Sequence, residues 1–295
     1  MTTAARSDAA AGFEAHRRHL MGLAYRMLGS LAEAEDAVQE AYLRWHAADR
    51  DAVENPRAYL SSVVTRLCLD QLKSARARRE SYVGPWLPEP VLDEAALAAE
   101  SASDYAHDLS VALMLALERL SPLERAAFLL HDVFEVGFAE IARTLGRGEA
   151  ACRQLAARAR EHVRAARPRF AVSAAEGERM AQAFRAAAAS GDAAALAHLL
   201  AEDAVLYSDG GGKRLAALNP IRGRDKIIRF LAGIARKSPA LGDWRIQPAQ
   251  INGAPGLTLR EPDGATQTIA FDIDGGRIAA IYIVLNPEKL RHIAF

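Results

Sequence analysis

Residues 138–160 have the sequence FAEIARTLGRGEAACRQLAARAR, and this stretch decides the fold of the region around it. It places a small residue at Ala142, a glycine at Gly146 and an apolar side chain at Cys152. A helix-turn-helix needs a small residue where its two helices cross and a glycine at the turn. It also needs an apolar residue on the second helix that faces back to the first. The other core positions are Ile141, Leu145, Leu155 and Ala159. The spacing therefore predicts a helix-turn-helix.

The second helix of this motif has an outward face that suits DNA. Its outward positions are Arg147, Glu149, Arg153, Gln154 and Arg158. Arginine pairs with guanine or with phosphate, and glutamine pairs with adenine. An ordinary helical hairpin with an arginine-rich surface is the alternative interpretation.

The charges are segregated along the chain, although 37 basic and 37 acidic residues cancel. Residues 57–80 contain six Lys or Arg against two acidic side chains, and residues 143–169 contain eight Arg against two. Residues 86–118 contain seven acidic side chains and no Lys or Arg. Two basic blocks at the ends of helical segments favour a polyanionic partner over merely solvated helix faces.

The first 80 residues are predicted to be helical. A helix that starts after Ser30 places Asp36, Gln39 and Glu40 opposite its apolar stripe, which makes a compact acidic patch. A solvated helix face is the alternative for this patch. Another helix starts at Asn55-Pro56, because Asn caps well and Pro suits a first turn. It extends to about Arg79, with one apolar and one basic side.

Composition and length indicate a globular protein of about two domains. The chain has 295 residues, 51% hydrophobic and 25% charged, which excludes disorder for most of its length. No run approaches the ~20 apolar residues of a membrane span, and residues 1–18 lack the apolar segment of a signal peptide. Cys68 and Cys152 make neither a disulfide framework nor a zinc site. A reducing cytoplasm without membrane association is therefore expected.

Residues 81–104 are predicted to be a linker. The segment 81–90, SYVGPWLPEP, contains three prolines and a glycine, which no regular element accommodates. Because Trp86 and Leu87 are apolar, we expect the linker to pack against another part of the chain.

Residues 173–295 are predicted to form an α+β domain with a curved antiparallel sheet covered by helices. Turn residues at 262–264 and 274–276 support antiparallel hairpins. The strands are expected at 204–208, about 214–218, 244–251, 257–261, 266–273 and 277–285, with a helix at 224–237.

The order of these segments resembles an extracytoplasmic-function sigma factor of bacterial RNA polymerase, and the resemblance covers residues 13–167. AEDAVQEAYLRW (34–45) is similar to the region that binds the polymerase clamp, which implies that Asp36, Gln39 and Glu40 contact core RNA polymerase. The 46–55 loop and the following basic helix are similar to the region that melts and recognises the −10 element of promoter DNA. The residues that this similarity implies are Arg57, Tyr59, Arg66, Lys73 and Arg76. Residues 121–163 resemble the region that recognises the −35 element, through the outward residues of the helix-turn-helix.

The rest of the chain resembles a subgroup of these factors with a fused SnoaL-like domain, which is a cone-shaped α+β fold with an apolar pocket. Three short signatures of the subgroup have counterparts here, and in the last of them Glu288 replaces the usual aspartate. They are Trp86-Leu87-Pro88-Glu89-Pro90, Asp209-Gly210-Gly211-Gly212-Lys213 and Asn286-Pro287-Glu288-Lys289-Leu290. The resemblance implies that these segments are interdomain contacts, so that the C-terminal domain regulates activity in cis without a separate anti-sigma factor. A small apolar ligand in the pocket is a further expectation.

Enzymatic, metal and cofactor chemistry have little support. The loop at 209–213 lacks the strand–loop–helix context and the Gly-Lys-Ser/Thr ending of a phosphate loop. No cofactor, metal site or catalytic residue is therefore predicted, and His16 and His19 are expected to be solvated. The groups available for an isomerase would be Asp209, Asp272, His292, Tyr207 and Tyr282.

The predicted domains are sigma region 2 at 1–80, the linker at 81–104, sigma region 4 at 105–170 and the SnoaL-like domain at 171–295. The function predicted is promoter-specific transcription initiation. The alternatives are a one-component helix-turn-helix regulator with a ligand-sensing C-terminal domain, and a SnoaL-like isomerase fused to DNA-binding helices. Binding to core polymerase would distinguish a sigma factor from the one-component regulator. Turnover of a substrate would distinguish the isomerase from both.

Overall fold

The computed structural model describes residues 3–92, 97, 103, 105, 108–164, 173–237 and 244–294, without the side chains of residues 3–10, 51 and 74–80. The described residues form two compact units. Unit 1 comprises those within 1–80, 94–109 and 113–166, and unit 2 comprises those within 81–93, 110–112 and 167–295.

The regular elements described in unit 1 are all helices. Its α-helices are α1 (Thr3–Leu28), α2 (Leu31–Ala47), α3 (Pro56–Glu80), α4 (Val111–Glu118), α5 (Pro122–Phe128), α6 (Phe138–Leu145) and α7 (Glu149–Arg164). The first two residues of α4 fall in the 110–112 segment that belongs to unit 2. A 3₁₀ turn lies at Arg50–Ala52, and a π-helical turn at Leu129–Val133 continues α5. The inner side of α1 is fully buried against α2 and α3, at Leu20, Leu23, Tyr25, Met27 and Leu28.

The predicted helix starts are confirmed by their caps. The Ser30 hydroxyl accepts the Glu33 N–H at 3.2 Å, and Asn55 Oδ1 accepts the Ala58 N–H at 3.0 Å. Ser121 and Glu124 form a reciprocal capping box at the start of α5. Each cap satisfies backbone donors that a helix leaves without an internal partner.

Unit 2 packs helices on one face of a sheet. Its α-helices are α8 (Ala174–Ser190), α9 (Ala193–Leu199) and α10 (Arg224–Lys237). Its strands are β1 (Leu200–Asp209), β2 (Ile221–Arg222), β3 (Arg245–Ile251), β4 (Ala254–Arg260), β5 (Thr266–Asp274) and β6 (Arg277–Val284). The core includes Phe184 of α8, whose ring meets the ring of Phe271 of β5 edge-on at 5.0 Å.

The sheet is mixed, which corrects the expected antiparallel arrangement within a confirmed α+β class. The strand order is β2-β1-β6-β5-β4-β3, and β1 runs parallel to β6. Strands β3 to β6 form an antiparallel series that starts at the edge of the sheet opposite β2. The last strand of this series, β6, lies beside β1 and runs in the same direction. Turn residues in the sequence indicate only the pairing of strands that are consecutive in the chain. The pairing of β1 with β6 therefore has no local sequence signal.

Residues 214–218 do not form the predicted strand. Gly211 and Gly212 have positive φ angles of 58° and 71°, and the chain turns there. The following Leu215 and Leu218 are 97% and 65% exposed, so this apolar alternation does not mark a buried sheet face. The short strand β2 lies further on, at Ile221–Arg222.

A hairpin that the sequence analysis missed joins β3 to β4. Asn252 and Gly253 have φ angles of 51° and 69°, which suit the two central residues of a type I′ turn. The Asn-Gly pair was the available signal, and it would have marked the strand boundary.

His19 is buried, contrary to the expectation that it is solvated. It is 5% exposed, and its Nδ1 accepts from Arg57 at 3.1 Å. Its Nε2 therefore carries the proton and donates to the Ser61 hydroxyl at 2.8 Å. Burial, the Arg57 charge and His16 lower the pKa of His19 to about 3.

This low pKa predicts that unit 1 loses stability in acid. The unfolded chain protonates His19 below its ordinary pKa of 6.5, whereas the folded chain resists protonation down to about 3. Stability is therefore complete above pH 6.5 and falls as the pH approaches 3, with a loss of about 2 kcal/mol at pH 5. Urea unfolding at pH 7.5 and pH 5.0 measures this loss, and His19→Gln should remove it. His198→Gln, at an exposed site in unit 2, is the control that keeps it. Equal losses in wild type and His19→Gln would contradict the assignment.

Candidate nucleic-acid interface

The predicted helix-turn-helix is formed by α6 and α7. The first helix ends at Gly146, whose φ of 62° lies in the left-handed region that glycine adopts readily. The second helix begins at Glu149, and its inner side buries Cys152, Ala156 and Ala159 at 0% exposure. The turn glycine and the apolar residue facing back thus lie where the spacing predicted.

The outward face of α7 is exposed at all the predicted positions, which are Arg147, Glu149, Arg153, Gln154 and Arg158. Arg153 is paired with Glu149 at 2.8 Å and lies over the Phe138 ring at 5.2 Å from the centroid. Arg158 is paired with Glu124 at 2.7 Å. These ion pairs orient the guanidinium groups along the surface. A DNA phosphate or base that contacts Arg153 or Arg158 would have to replace the Glu149 or Glu124 carboxylate.

The basic helix α3 divides its predicted contacts between different sides. Tyr59, Arg66 and Lys73 follow one another at seven-residue intervals, so they form one stripe. Arg57 lies on another side and donates to His19. Arg76 is also on α3, outside the residues whose side chains are described.

Clefts lie along the stripe on α3. One, of about 540 Å³, is bounded by residues 52–55, Tyr59 and Arg66 on one side and by residues of α6 on the other. A second, of about 570 Å³, is bounded by Arg66, Lys73 and Arg147, and by the start of α5. Arg66 borders both clefts and donates to the carbonyls of Arg143 and Thr144, at 3.0 and 3.1 Å.

The acidic patch of α2 faces outward as predicted. Asp36 and Gln39 are exposed, and Glu40 is half-buried and paired with Arg44 at 2.9 Å. Leu43 lies one turn after Glu40 and is 55% exposed. The sequence analysis did not name Leu43, although its position seven residues after Asp36 puts it on the same face of the helix as the patch.

The linker signature and the other two signatures meet within unit 2, around the buried carboxylate of Asp209. This carboxylate accepts from the Tyr82 hydroxyl at 2.6 Å, from the Leu87 N–H at 2.8 Å and from Lys289 Nζ at 2.8 Å. Asp209 is 0% exposed and Lys289 is 7% exposed. Asn286 Nδ2 donates to the Tyr82 hydroxyl at 2.9 Å. We call this cluster of Tyr82, Trp86, Leu87, Asp209, Asn286 and Lys289 the linker anchor.

Aromatic rings complete the environment of the Lys289 ammonium. Its Nζ lies 4.2 Å from the centroid of Trp86 and 5.0 Å from that of Tyr82, and it also donates to the Leu87 carbonyl. Cation–π contacts of this kind replace part of the lost hydration. Burial and the hydrogen bond to Asp209 raise the pKa of Tyr82, so its hydroxyl stays protonated as a donor.

The glycines of the Asp209–Lys213 signature allow the close approach of the linker. A Cβ on Gly211 would lie 2.3 Å from Asn286 Nδ2 and 2.9 Å from the Tyr82 hydroxyl. A Cβ on Gly210 would lie 2.2 Å from the Arg214 carbonyl. Lys213 is paired with Glu288 at the exposed rim, so the acidic replacement in the third signature keeps an ion pair.

The end of the linker signature is held by a second set of hydrogen bonds. Val91 and Asn252 exchange bonds, with the Val91 N–H donating to Asn252 Oδ1 at 3.0 Å and the Asn252 N–H donating to the Val91 carbonyl at 2.8 Å. His292 Nε2 donates to the Pro90 carbonyl at 2.7 Å. Leu87, Pro88, Glu89 and Pro90 are buried as a result.

The five side chains considered for an isomerase have different partners in this structure. Asp209 and His292 are bonded to the linker, and Asp272 lies half-buried on β5. Tyr207 and Tyr282 stack on each other across the β1–β6 pair at 5.5 Å. Within the described part of the chain, no cluster of His, Cys, Asp and Glu could hold a metal ion. No described helix has the length and apolarity of a membrane span.

Comparisons with known proteins agree with this architecture. Family models match residues 13–78 as Sigma-70 region 2, residues 110–163 as Sigma-70 region 4 and residues 181–281 as a SnoaL-like domain. The ECF RNA polymerase sigma factor SigJ of Mycobacterium tuberculosis is 43% identical over 295 residues, covering 94% of this chain and 91% of the relative. The probable ECF RNA polymerase sigma factor SigI of that species is 31% identical, covering 95% and 94%.

A solved structure is similar over nearly the whole chain. The crystal structure of the M. tuberculosis extracytoplasmic function sigma factor SigJ aligns with a TM-score of 0.75 and 38% identity, covering 96% of this chain and 98% of the other. The three family models, the relatives that match over nearly their whole length and this structure thus indicate the same domain architecture. The chain therefore belongs to the extracytoplasmic-function family of RNA polymerase sigma factors, with a fused C-terminal SnoaL-like domain.

Proposed function

We propose that this sigma factor joins core RNA polymerase to promoter DNA through separate faces of unit 1, and that polymerase performs the chemistry. The observation that carries the proposal is the distribution of charge on the helical scaffold. An acidic face on α2 is accompanied by basic faces on α3 and α7. Binding to core polymerase is the decisive test, because a one-component regulator has no need of the acidic face.

The polymerase contact is assigned to Asp36, Gln39, Glu40 and Leu43 of α2. Leu43 adds an exposed apolar side chain to the charged patch. Interfaces of this kind combine apolar contacts that provide affinity with charges that provide specificity. A cytoplasmic location follows from a partnership with polymerase.

The promoter contacts are assigned to α3 with the 46–55 loop for the −10 element, and to α7 for the −35 element. The −10 residues are Arg57, Tyr59, Arg66, Lys73 and Arg76, and the −35 residues are Arg147, Glu149, Arg153, Gln154 and Arg158. The functional division of the chain is 1–80, 81–104, 105–170 and 171–295. Because phosphate contacts dominate affinity, binding should weaken steeply with salt.

The C-terminal domain acts in cis on the sigma regions and is not a catalyst. The chain leaves unit 1 after Glu80, passes through the linker anchor in unit 2, and then enters the segment that leads to α4. The tether between the two sigma regions is therefore fixed by unit 2, and changes in unit 2 alter the reach between them. No separate anti-sigma factor is then needed, and an apolar ligand of the domain would act through the anchor.

An isomerase is disfavoured by the state of the carboxylate it would need. A general base requires a free lone pair directed at its substrate. Asp209 instead accepts from Tyr82, Leu87 and Lys289. These bonds support a structural role.

Reversing the charge of the acidic patch should weaken polymerase binding. We expect Asp36→Lys with Glu40→Lys to reduce affinity for core polymerase by about tenfold or more, because like charges would meet across the interface. Glu178→Lys with Asp203→Lys changes the net charge equally on exposed sites of unit 2 and should have no effect. Fluorescence anisotropy with labelled protein measures both. Wild-type affinity in a folded Asp36/Glu40 variant would refute the assignment.

Arg153→Ala should weaken recognition of the −35 element. If the side chain contacts a base edge, the loss is about 1–3 kcal/mol and depends on the −35 sequence. If it contacts phosphate, binding falls equally on all sequences and the salt slope shrinks by about one. Arg164→Ala, exposed near the end of α7, should leave sequence preference unchanged. Titration of polymerase holoenzyme on promoter variants at several salt concentrations distinguishes the cases. An Arg153 variant with unaltered affinity and slope would exclude α7 from DNA as assigned.

Breaking the linker anchor should release the linker. Lys289→Met leaves the Asp209 carboxylate buried without its cation, at a cost of about 3–5 kcal/mol. We therefore expect hydrogen exchange of the Leu87 amide to accelerate by about a hundredfold or more. Lys213→Met removes an exposed ion pair and should leave this amide protected. Mass spectrometry of peptides spanning residues 84–92 reports the change. Equal exchange in both variants would show that the buried pair does not hold the linker.

A further inference from the structure

Two arginines lie directly opposite each other on neighbouring strands of the unit 2 sheet. Arg245 of β3 pairs in register with Arg260 of β4, and Arg260 pairs in register with Thr266 of β5. Directly opposite residues project from the same face of a sheet, and their Cβ atoms are only about 4.5–5.5 Å apart. The three side chains therefore form one row across three strands, which we call the arginine row.

The two positive charges of the arginine row have no counter-charge in the described part of the chain. Arg245 and Arg260 are both exposed. Among the residues that the structure describes, neither guanidinium has a hydrogen bond or an ion pair. Like charges that lie directly opposite on adjacent strands destabilise a sheet. The fold thus contains a like-charge pair that an anion placed between the two guanidinium groups would neutralise.

The acidic side chains at the turn between β4 and β5 are paired with a different arginine. Glu261 pairs with Arg214 and accepts a hydrogen bond from Gln267. Asp263 also pairs with Arg214, at 3.5 Å. Because Gln267 follows Thr266 directly on β5, its side chain projects from the opposite face of the sheet. These carboxylates therefore neutralise Arg214 and leave the arginine row charged.

The arginine row lies on the sheet face that also carries the linker anchor. The next row on this face passes through Gln247, Thr258, Thr268, Val284 and Asp209. Gln247 is exposed and adds an amide donor beside Arg245. Asp209, at the far end of the same row, is buried and paired with Lys289. This face is thus attached to the linker, which connects the two sigma regions to which DNA binding is assigned.

Protection of the sheet edge accounts for only one of the two arginines. β3 is an edge strand, and charged side chains on an edge strand oppose pairing with another chain. β4 lies between β3 and β5, so Arg260 has no edge to protect. The placement of Arg260 opposite Arg245 therefore indicates a ligand that both guanidinium groups reach.

The phosphate backbone of DNA is the anion that suits this surface. A guanidinium binds phosphate oxygens through pairs of parallel hydrogen bonds. Small phosphorylated molecules bind in concave sites, whereas Arg245, Gln247 and Arg260 project from the sheet as exposed side chains. A DNA backbone lies across such a surface and presents about one negative charge per 3.4 Å of each strand.

We propose that the arginine row is a third DNA-binding surface of this protein, through which the C-terminal domain contacts the phosphate backbone of promoter DNA. The inference rests on the proposed binding of promoter DNA by sigma regions 2 and 4. Phosphate contacts carry no sequence information. The row therefore adds affinity that is independent of the promoter sequence and decreases with salt.

Removal of both charges should reduce the salt dependence of promoter binding. Arg245→Gln with Arg260→Gln is made in the full-length protein, which is then assembled with core polymerase. We expect the slope of log affinity against log salt to shrink by about one to two, equally on promoters with intact and altered −35 elements. Arg179→Gln with Arg185→Gln removes the same charge from exposed positions on α8 and should keep the slope. Anisotropy of labelled promoter DNA measures both. A wild-type slope in the Arg245/Arg260 variant overturns the proposal.

Thermal unfolding and a charge-conserving variant separate DNA binding from folding. Because the two arginines repel each other, the Arg245/Arg260 glutamine variant should unfold at the wild-type temperature or above it. Arg245→Lys with Arg260→Lys keeps both charges and should keep the wild-type salt slope. A glutamine variant that unfolds at a lower temperature, or a lysine variant with the reduced slope, overturns the proposal.

Two other partners of the arginine row would give different results. If the row contacts an acidic surface of polymerase, the glutamine variant binds core polymerase more weakly and the salt slope on DNA is unchanged. If the row holds a free phosphorylated molecule, sodium pyrophosphate raises the unfolding temperature of the wild type but not of the variant, again with an unchanged slope on DNA. Either result overturns the assignment to DNA.

Arg153→Ala distinguishes a failure of this proposal from a failure of the proposed function. Weaker −35 recognition by that variant, together with wild-type DNA binding by the Arg245/Arg260 glutamine variant, leaves the proposed function intact and refutes the arginine row alone. Wild-type holoenzyme without affinity for promoter DNA refutes the proposed function and this inference with it.

Discussion

The ion pair between Asp209 and Lys289 is the interaction on which the arrangement of unit 2 around the linker depends. Burying two opposite charges is costly unless their geometry is good and their remaining hydrogen-bonding capacity is satisfied. Here Tyr82, the Leu87 amide and the aromatic rings supply that compensation. All of these partners come from the linker, so the ion pair is fully compensated only while the linker is in place. Folding of the domain core and attachment of the linker are thereby coupled.

Local patterns in the sequence predicted the helical parts well. The caps at Ser30 and Asn55 and the spacing around Gly146 depend on residues a few positions apart, and all are found where expected. The outward face of α7 follows from the same periodicity. The three short signatures also meet, around the Asp209 carboxylate within unit 2.

Long-range partners were beyond the sequence. The parallel pairing of β1 with β6 leaves no turn signal, and the alternation at 214–218 resembles a strand but lies in an exposed loop. His19 was misjudged because its burial depends on Ser61 and Arg57, which lie on another helix. Arg66 was assigned to DNA from the family resemblance. Its partners here are backbone carbonyls, which every residue carries and no sequence pattern distinguishes.

The linker anchor also has a consequence for the order of events during synthesis. Lys289 follows Leu87 by 202 positions in the chain. At a ribosomal rate of 5–20 residues per second, about 10–40 seconds separate the appearance of these two residues. Residues 1–80 are made before that interval begins and residues 105–170 are made within it, so both segments exist before the cation that fixes the linker. Each new molecule therefore passes through a period in which its sigma regions are tethered by a free linker, and it acquires the anchored tether only after Lys289 has been made.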